Sequence, residues 1–322
     1  MRVLLGRLAG HFLFRKNFKV NEIILHHFDI SPFAEKVRVA LGIKNLAWSS
    51  VQIPLVMPKP ELTALTGGYR KTPVLQIGAN VYCDTQRIAQ ELEDRFPLPS
   101  FFPDNSEGLC QALAAWSDML LFRPGAGLSM GTNPDLPESI KHDRFAFFDF
   151  LDEDELPSQL PHFFGQFRAA LRRVEQMLAD GRAYLLGDEV SWADAACYAS
   201  VWMCRSNIQG SDELLRGLER LSSWEQRVAR IGHGQRLEIS AEDALDISES
   251  TQASVDECVV DCWSNLQAGD MVSVCPDDYG AVAVAGNLLR LTDAGVAIRR
   301  SDERAGEVVV HFPRLGYQVN KL

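Results

Sequence analysis

Regular patterning begins at Ile23-Ile24-Leu25, an apolar run that reads as a buried strand. A turn follows at Asp29-Ile30-Ser31-Pro32, and the period then changes. Phe33, Val37 and Leu41 recur every four positions and define one face of a helix running to about Gly42. Ser31 reads as its N-cap and Pro32 as its first residue. Trp48 to Ile53 suits a second strand, and Pro54 to Gly68, with three prolines and two glycines, allows at most a short helix. Thr72 to Ile77 and Val81 to Cys83 read as two strands joined by the turn Gly78-Ala79-Asn80. Asp84 then caps a helix carrying Ile88, Leu92 and Phe96, which Pro97 stops.

After a proline-marked linker from Leu98 to Asp104, helical periodicity takes over. Leu109, Leu113, Trp116, Leu120 and Leu121 predict one long amphipathic helix, with a loop or kink over Gly125 to Pro137. Phe145 to Phe150 is rich in aromatic residues, and Phe163 to Leu178 predicts another helix, stopped near Gly181. Ser191-x-x-Asp194 is a capping-box spacing. The helix after it is apolar nearly all round, from Ala195 to Trp202, which predicts a central position. Helical patterning ends between Arg230 and Gly234. Residues 240–261 hold seven acids and no Lys or Arg, as a solvated linker does. Six strand-like runs follow between Met271 and Val319, which predicts a small antiparallel barrel or sandwich.

A chain of 322 residues is long for one domain, so two or three are expected. No apolar run approaches the roughly 20 residues that cross a bilayer. The net charge of −11 argues against nucleic acid or an anionic membrane as a general partner. Seven cysteines in a chain of this length suggest reduced, cytoplasmic thiols. Cys258-x-x-x-Cys262 has no second pair nearby, so no metal is expected. The first twenty residues carry five Lys or Arg and no acid; they suit a transit-like segment, a membrane-surface helix or an unstructured extension. His26 and His27 are adjacent, so on a strand they face opposite sides and read as structural.

Ser31-Pro32-Phe33-Ala34-Glu35-Lys36-Val37-Arg38 resembles the first helix of the glutathione transferase superfamily, in its tau- and omega-like form. There a Ser or Cys at this turn contacts the glutathione sulfur. Thr72-Pro73-Val74-Leu75 is similar to the family's Val-Pro-Val-Leu, whose proline is cis. Cys83-Asp84-Thr85 is similar to its acid–serine pair at a helix N-terminus, a place suited to a carboxylate. Lys59, in Pro58-Lys59-Pro60-Glu61, resembles an omega-type lysine that approaches glutathione. One departure is Thr66-Gly67-Gly68-Tyr69, which stands where the family has Asn-Pro-x-Gly. The Gly-x-x-x-Ser-x-Ala-Asp element ending at Asp194 resembles the family's N-capping box, a folding element, so Ser191 and Asp194 are not catalytic candidates.

The resemblance implies an α/β thioredoxin-like domain over 22–97 and an all-helical domain over 104–234. A basic extension over 1–21 precedes them, and an acidic linker with a small, mostly-β, barrel-like domain over 235–322 follows. It implies Ser31 as the catalytic hydroxyl and Phe33, Lys59, Thr72, Pro73, Asp84 and Thr85 as glutathione-binding residues. Glutathione is then the co-substrate, and the partner is a small hydrophobic electrophile. A homodimer is expected on the same ground. Two other readings stay open. One is a glutathione-dependent isomerase or lyase; the other is a non-catalytic scaffold that binds protein through its C-terminal region. Serine at position 31 disfavours thiol–disulfide exchange, because a hydroxyl forms no mixed disulfide.

Overall fold

The computed structural model describes residues 22–322 apart from 254, 261 and 262. The basic extension over 1–21, and with it the choice among its three readings, lies outside the described residues. Strand β1 (Ile23–His27), helix α1 (Pro32–Ile43) and strand β2 (Ala47–Gln52) form a parallel βαβ unit. The short helix α2 (Pro60–Thr66) leads to β3 (Val74–Ile77), antiparallel to β1, then β4 (Asn80–Cys83) and helix α3 (Thr85–Arg95). This is the thioredoxin-like order that the hydrophobic pattern predicts.

The helical region differs from its sequence pattern in one place. Helix α4 (Glu107–Ser117) does not end in a loop; it passes through one π-helical turn (Asp118–Phe122) into α5 (Arg123–Gly131). Glycines usually weaken a helix interior, but here they let other helices come close. A Cβ on Gly125 would lie 2.6 Å from Met203 Cε, and one on Gly127 2.6 Å from the Phe163 ring. The buried face is also not the leucine row. Cys110, Ala114, Ser117 and Leu121 are buried, while Leu109 and Leu120 are exposed. Helices α6 (Glu138–Phe145), α7 (Leu156–Met177), α8 (Trp192–Asn207), α9 (Ser211–Leu215) and α10 (Glu219–Ala229) complete the bundle. As its apolar circumference predicts, α8 is central and packs against both α1 and α4.

Asp194 fixes the start of α8. Its Oδ2 accepts from Ser191 N and Oγ, at 2.9 and 2.7 Å. Its Oδ1 accepts from Leu185 N and Trp224 Nε1, both at 2.8 Å. One fully buried carboxylate thereby ties a loop, a helix start and α10 together.

The C-terminal region is β-rich, and it is joined edge to edge to the first domain. β5 (Gln235–Glu238) pairs parallel with β2, and α11 (Ala241–Glu249) follows. Only part of the acidic stretch is solvated, because Ala244, Leu245 and Ile247 of α11 are buried. After the short β6 (Cys258–Val259) come β7 (Met271–Pro276), β8 (Val284–Leu291), β9 (Gly295–Asp302), β10 (Gly306–Pro313) and β11 (Tyr317–Lys321). The runs at Ala281 and Leu288 merge into the single strand β8, preceded by a loop. β10 pairs parallel with β4, placing Val309 opposite Asn80 and Val310 opposite Val81. The continuous order is β11-β7-β8-β9-β10-β4-β3-β1-β2-β5. Ile24, Val74 and Val81 share one apolar core with Val272, Val284, Val310 and Phe312. Among the described residues, no helix is long and apolar enough to cross a membrane.

Candidate active site

The turn between β1 and α1 supplies the first group. Ser31 caps α1: its Oγ accepts from Ala34 N at 3.2 Å and its own N–H donates to Phe28 O. That leaves the Ser31 hydroxyl proton with no acceptor among the described residues. The side chain is buried at the wall of a cavity of about 280 Å³. Proline at N1 removes one N–H from the helix start, Ala34 and Glu35 donate theirs to Ser31, and the Phe33 N–H stays unpaired among the described residues at the positive end of the helix dipole.

The other residues expected from the sequence line the same cavity: Phe33, Lys59, Thr72, Pro73, Asp84 and Thr85. The Thr72–Pro73 bond is cis. Neither backbone group of Thr72 makes a hydrogen bond among the described residues, and its Oγ1 is buried without a partner. Asp84 caps α3, accepting from Gln86 N at 2.9 Å. Its φ of 75° is unusual for a side chain other than glycine, and side-chain contacts hold it there. Its Oδ2 accepts from the Tyr317 hydroxyl at 3.0 Å, and that hydroxyl lies 2.9 Å from Tyr69 Oη. Tyr317 has one proton, committed to the carboxylate, so Tyr69 is the donor to Tyr317.

Lys59 is buried, with Nζ 5.2 Å from the Phe28 ring centre. Burial lowers its pKa to about 8; Arg144 and Arg70 add to the effect and Asp143 opposes it. Phe33 stands on the apolar side of the cavity, its ring edge-on to Phe122 at 4.6 Å. Cys83 is fully buried, and burial pushes its thiol well above the usual range, so it is no nucleophile. His26 and His27 hold Gln76 and Ser50 within the fold. Among the described residues, no group of three or more His, Cys, Asp or Glu side chains is placed to hold a metal ion.

Sequence pattern does not single out Lys36 and Asp118. Lys36 Nζ donates to both carboxylate oxygens of Asp118, at 2.7 and 2.9 Å, and to Thr85 Oγ1 at 3.4 Å. Thr85 therefore keeps its own O–H free to donate into the cavity. The signal was present in part: Lys36 follows Pro32 by four residues, which places it on the N-cap face of α1. Asp118 begins the π-helical turn, a feature frequent at functional sites. Burial raises the Asp118 carboxyl and Lys36 opposes that rise.

Among the described residues, five cationic and four acidic side chains line the cavity, so its sign is opposite to the chain's net −11. Asp143 accepts from Arg70 and Arg144, and Asp278 pairs with Lys71. Lys59 and Arg123 have no carboxylate partner among the described residues. Phe122, Met130, Leu136, Ile140, Phe148 and Met203 form the remaining apolar wall. The space thus has a polar half over α1 and α3 and an apolar half over the helical bundle.

Comparison with known proteins places the chain in a family. Residues 25–100 match the glutathione S-transferase N-terminal domain and residues 145–227 the glutathione S-transferase C-terminal domain. A GST-like protein from Pseudomonas syringae is 37% identical, over 94% of this chain and all of that one, with a TM-score of 0.76. The chain belongs to the glutathione S-transferase family. A glutathione S-transferase from Rhodospirillum rubrum F11 matches 64% of this chain and 87% of its own at 20% identity, with a TM-score of 0.51. A Tau class glutathione S-transferase from mango, Mangifera indica, matches 65% of this chain and 88% of its own at 15% identity, with a TM-score of 0.50. These two show the fold alone. The Pseudomonas match is wide enough to take in most of the C-terminal strands. No curated protein matches the chain.

Proposed function

We propose that the protein is a glutathione transferase that adds the glutathione thiolate to a small hydrophobic electrophile. The observation that carries this reading is one cavity bordered by a Ser31 hydroxyl with an uncommitted proton, the unpaired Thr72 backbone and the N-terminus of α3. An extended peptide pairs with the N–H and C=O of Thr72. Its terminal carboxylate meets the Thr85 hydroxyl and the α3 N–H groups, with Lys36 behind them. Asp84 accepts from the ammonium beside that carboxylate, and Lys59 faces the second carboxylate of the peptide.

This pose brings the sulfur to Ser31. A free thiol has a pKa near ~8.5 and is mostly protonated at neutral pH. Donation from the Ser31 hydroxyl and the α1 N-terminus favours the thiolate, and the thiol proton leaves to solvent. The thiolate attacks an electrophilic carbon held on the apolar wall. A C–S bond forms, and either a leaving group departs with its electron pair or the carbanion takes a proton from water. Ser31 remains a hydrogen-bond donor throughout and forms no covalent intermediate.

The test is glutathione-dependent conjugation across a set of electrophiles, with Ser31→Ala alongside. Removing one such donor is expected to lower kcat by about 10²-fold, while calorimetry shows glutathione still bound. Unchanged turnover overturns the role of Ser31. Absence of glutathione binding in the unaltered protein favours the scaffold reading instead.

A further inference from the structure

The loop over 277–283, between β7 and β8, lies outside both matched family domains, yet it enters the cavity. It is held at three points. Asp278 pairs with Lys71, whose Nζ also lies 4.5 Å from the Tyr279 ring centre. Gly280 N donates to Phe147 O at 3.2 Å. Gly280 itself has φ +59°, and a Cβ there would lie 2.2 Å from the Phe147 ring, so the loop's approach depends on glycine.

This anchoring inserts Tyr279 among four phenylalanines. Its ring centre lies 6.1 Å from that of Phe122, 5.3 Å from Phe147, 5.4 Å from Phe148 and 5.6 Å from Phe150. The residue is buried and lines the cavity, and its hydroxyl has no hydrogen-bond partner among the described residues. Unlike Thr72 Oγ1, the Tyr279 oxygen is not sealed away from solvent; it opens to the cavity, where a ligand can meet it. Burial, with Asp278, Asp118 and Asp84 adding, keeps the phenol protonated at neutral pH, so its O–H is available to donate a hydrogen bond.

We propose that Tyr279 is a catalytic residue of the acceptor half of this site, donating a hydrogen bond to the carbonyl or nitro oxygen of a planar, conjugated electrophile stacked on the phenylalanine wall. This rests on the transferase reading above and names its acceptor class. As the sulfur adds to the conjugated carbon, the π pair moves onto that oxygen, and the Tyr279 O–H meets the charge where it develops. The C–S bond is the bond formed. The oxyanion then collapses by protonation of the adjacent carbon from solvent or by expulsion of a leaving group, so no oxidant or reductant is required.

The experiment uses the full chain and Tyr279→Phe, which keeps the ring and loses no internal hydrogen bond. Three quantities are measured: glutathione binding by calorimetry, turnover of a conjugated enone or nitroarene, and turnover of a benzyl halide, which carries no acceptor oxygen. The expected result is a fall in kcat of about 10- to 10³-fold for the oxygen-bearing acceptors. Turnover of the halide, its KM and glutathione affinity stay within about twofold. An equal loss with both acceptor classes, or no loss with either, overturns the role of Tyr279 while leaving the transferase reading intact. No glutathione-dependent turnover of any acceptor by the unaltered protein overturns both.

Discussion

Tyr317, five residues from the end of the chain, donates its hydroxyl proton to Asp84 at the start of α3, 3.0 Å away. The C-terminal region therefore braces Asp84 on the polar half of the cavity, while its loop before β8 lines the apolar half. A hydrogen bond to a charged group is worth about 1.5–3 kcal/mol. Tyr317→Phe frees the carboxylate to turn away, and the expected result is a Kd for glutathione raised about tenfold, or about 1.4 kcal/mol, with kcat little changed. Calorimetry on the two proteins checks it; equal affinities would show that Asp84 needs no such support.

Lys59 gives the site a pH limit. Its pKa is lowered to about 8, chiefly by burial, so its charge is lost as pH rises through that value. If it faces a glutathione carboxylate, affinity falls between about pH 7.5 and about pH 9, the direction opposite to thiol ionisation. Lys59→Met is expected to bind weakly at both values with no such fall. Binding isotherms across the range, for both proteins, measure the difference.

Three histidines set the acid limit of the fold. Burial lowers His26 to about 4 and His27 and His311 to about 3. Unfolded, each titrates near ~6.5. Between these values the unfolded chain binds more protons, so stability is full above about pH 6.5 and falls as pH drops below it. Each histidine contributes at most about 1.4 kcal/mol per pH unit, and the three together about 4 kcal/mol. Urea midpoints at about pH 7 and about pH 5 check this; a flat profile would mean the rings are not buried and neutral.

Asp194 carries the helical bundle. Asp194→Ala leaves four donors, on Leu185, Ser191 and Trp224, without their acceptor. A buried donor left unsatisfied costs about 1–3 kcal/mol, and here several are left at once. The expected result is a clear loss of Tm and of soluble protein, with no specific effect on glutathione affinity in what remains folded.

Local signals made the first domain legible. Ser31-Pro32 at a helix start, Thr72-Pro73 before a strand and Asp84-Thr85 before a helix are each written in adjacent residues, and the structure brings all three to one cavity. Long-range pairings are not written that way. Nothing in Val308 to His311 says that it will lie parallel to Asn80–Tyr82, some 230 residues earlier. Tyr279 and Tyr317 reach the site only through that pairing and the β7–β11 pairing, so sequence pattern leaves them unremarkable. The helix over Arg123–Gly131 is hidden for another reason. Its glycines look like breakers, and only the partners Met203, Phe163 and Phe167 explain them.

The claim on which the others depend is that Ser31 stabilises a bound thiolate. Ultraviolet titration of glutathione on the protein measures this directly, because the thiolate absorbs and the thiol does not. A bound-thiol pKa at least about one unit below the free value is expected, a shift worth about 1.4 kcal/mol, with most of it lost in Ser31→Ala while binding persists. A bound thiol that titrates as it does in water, or an equal shift without the Ser31 hydroxyl, would contradict it.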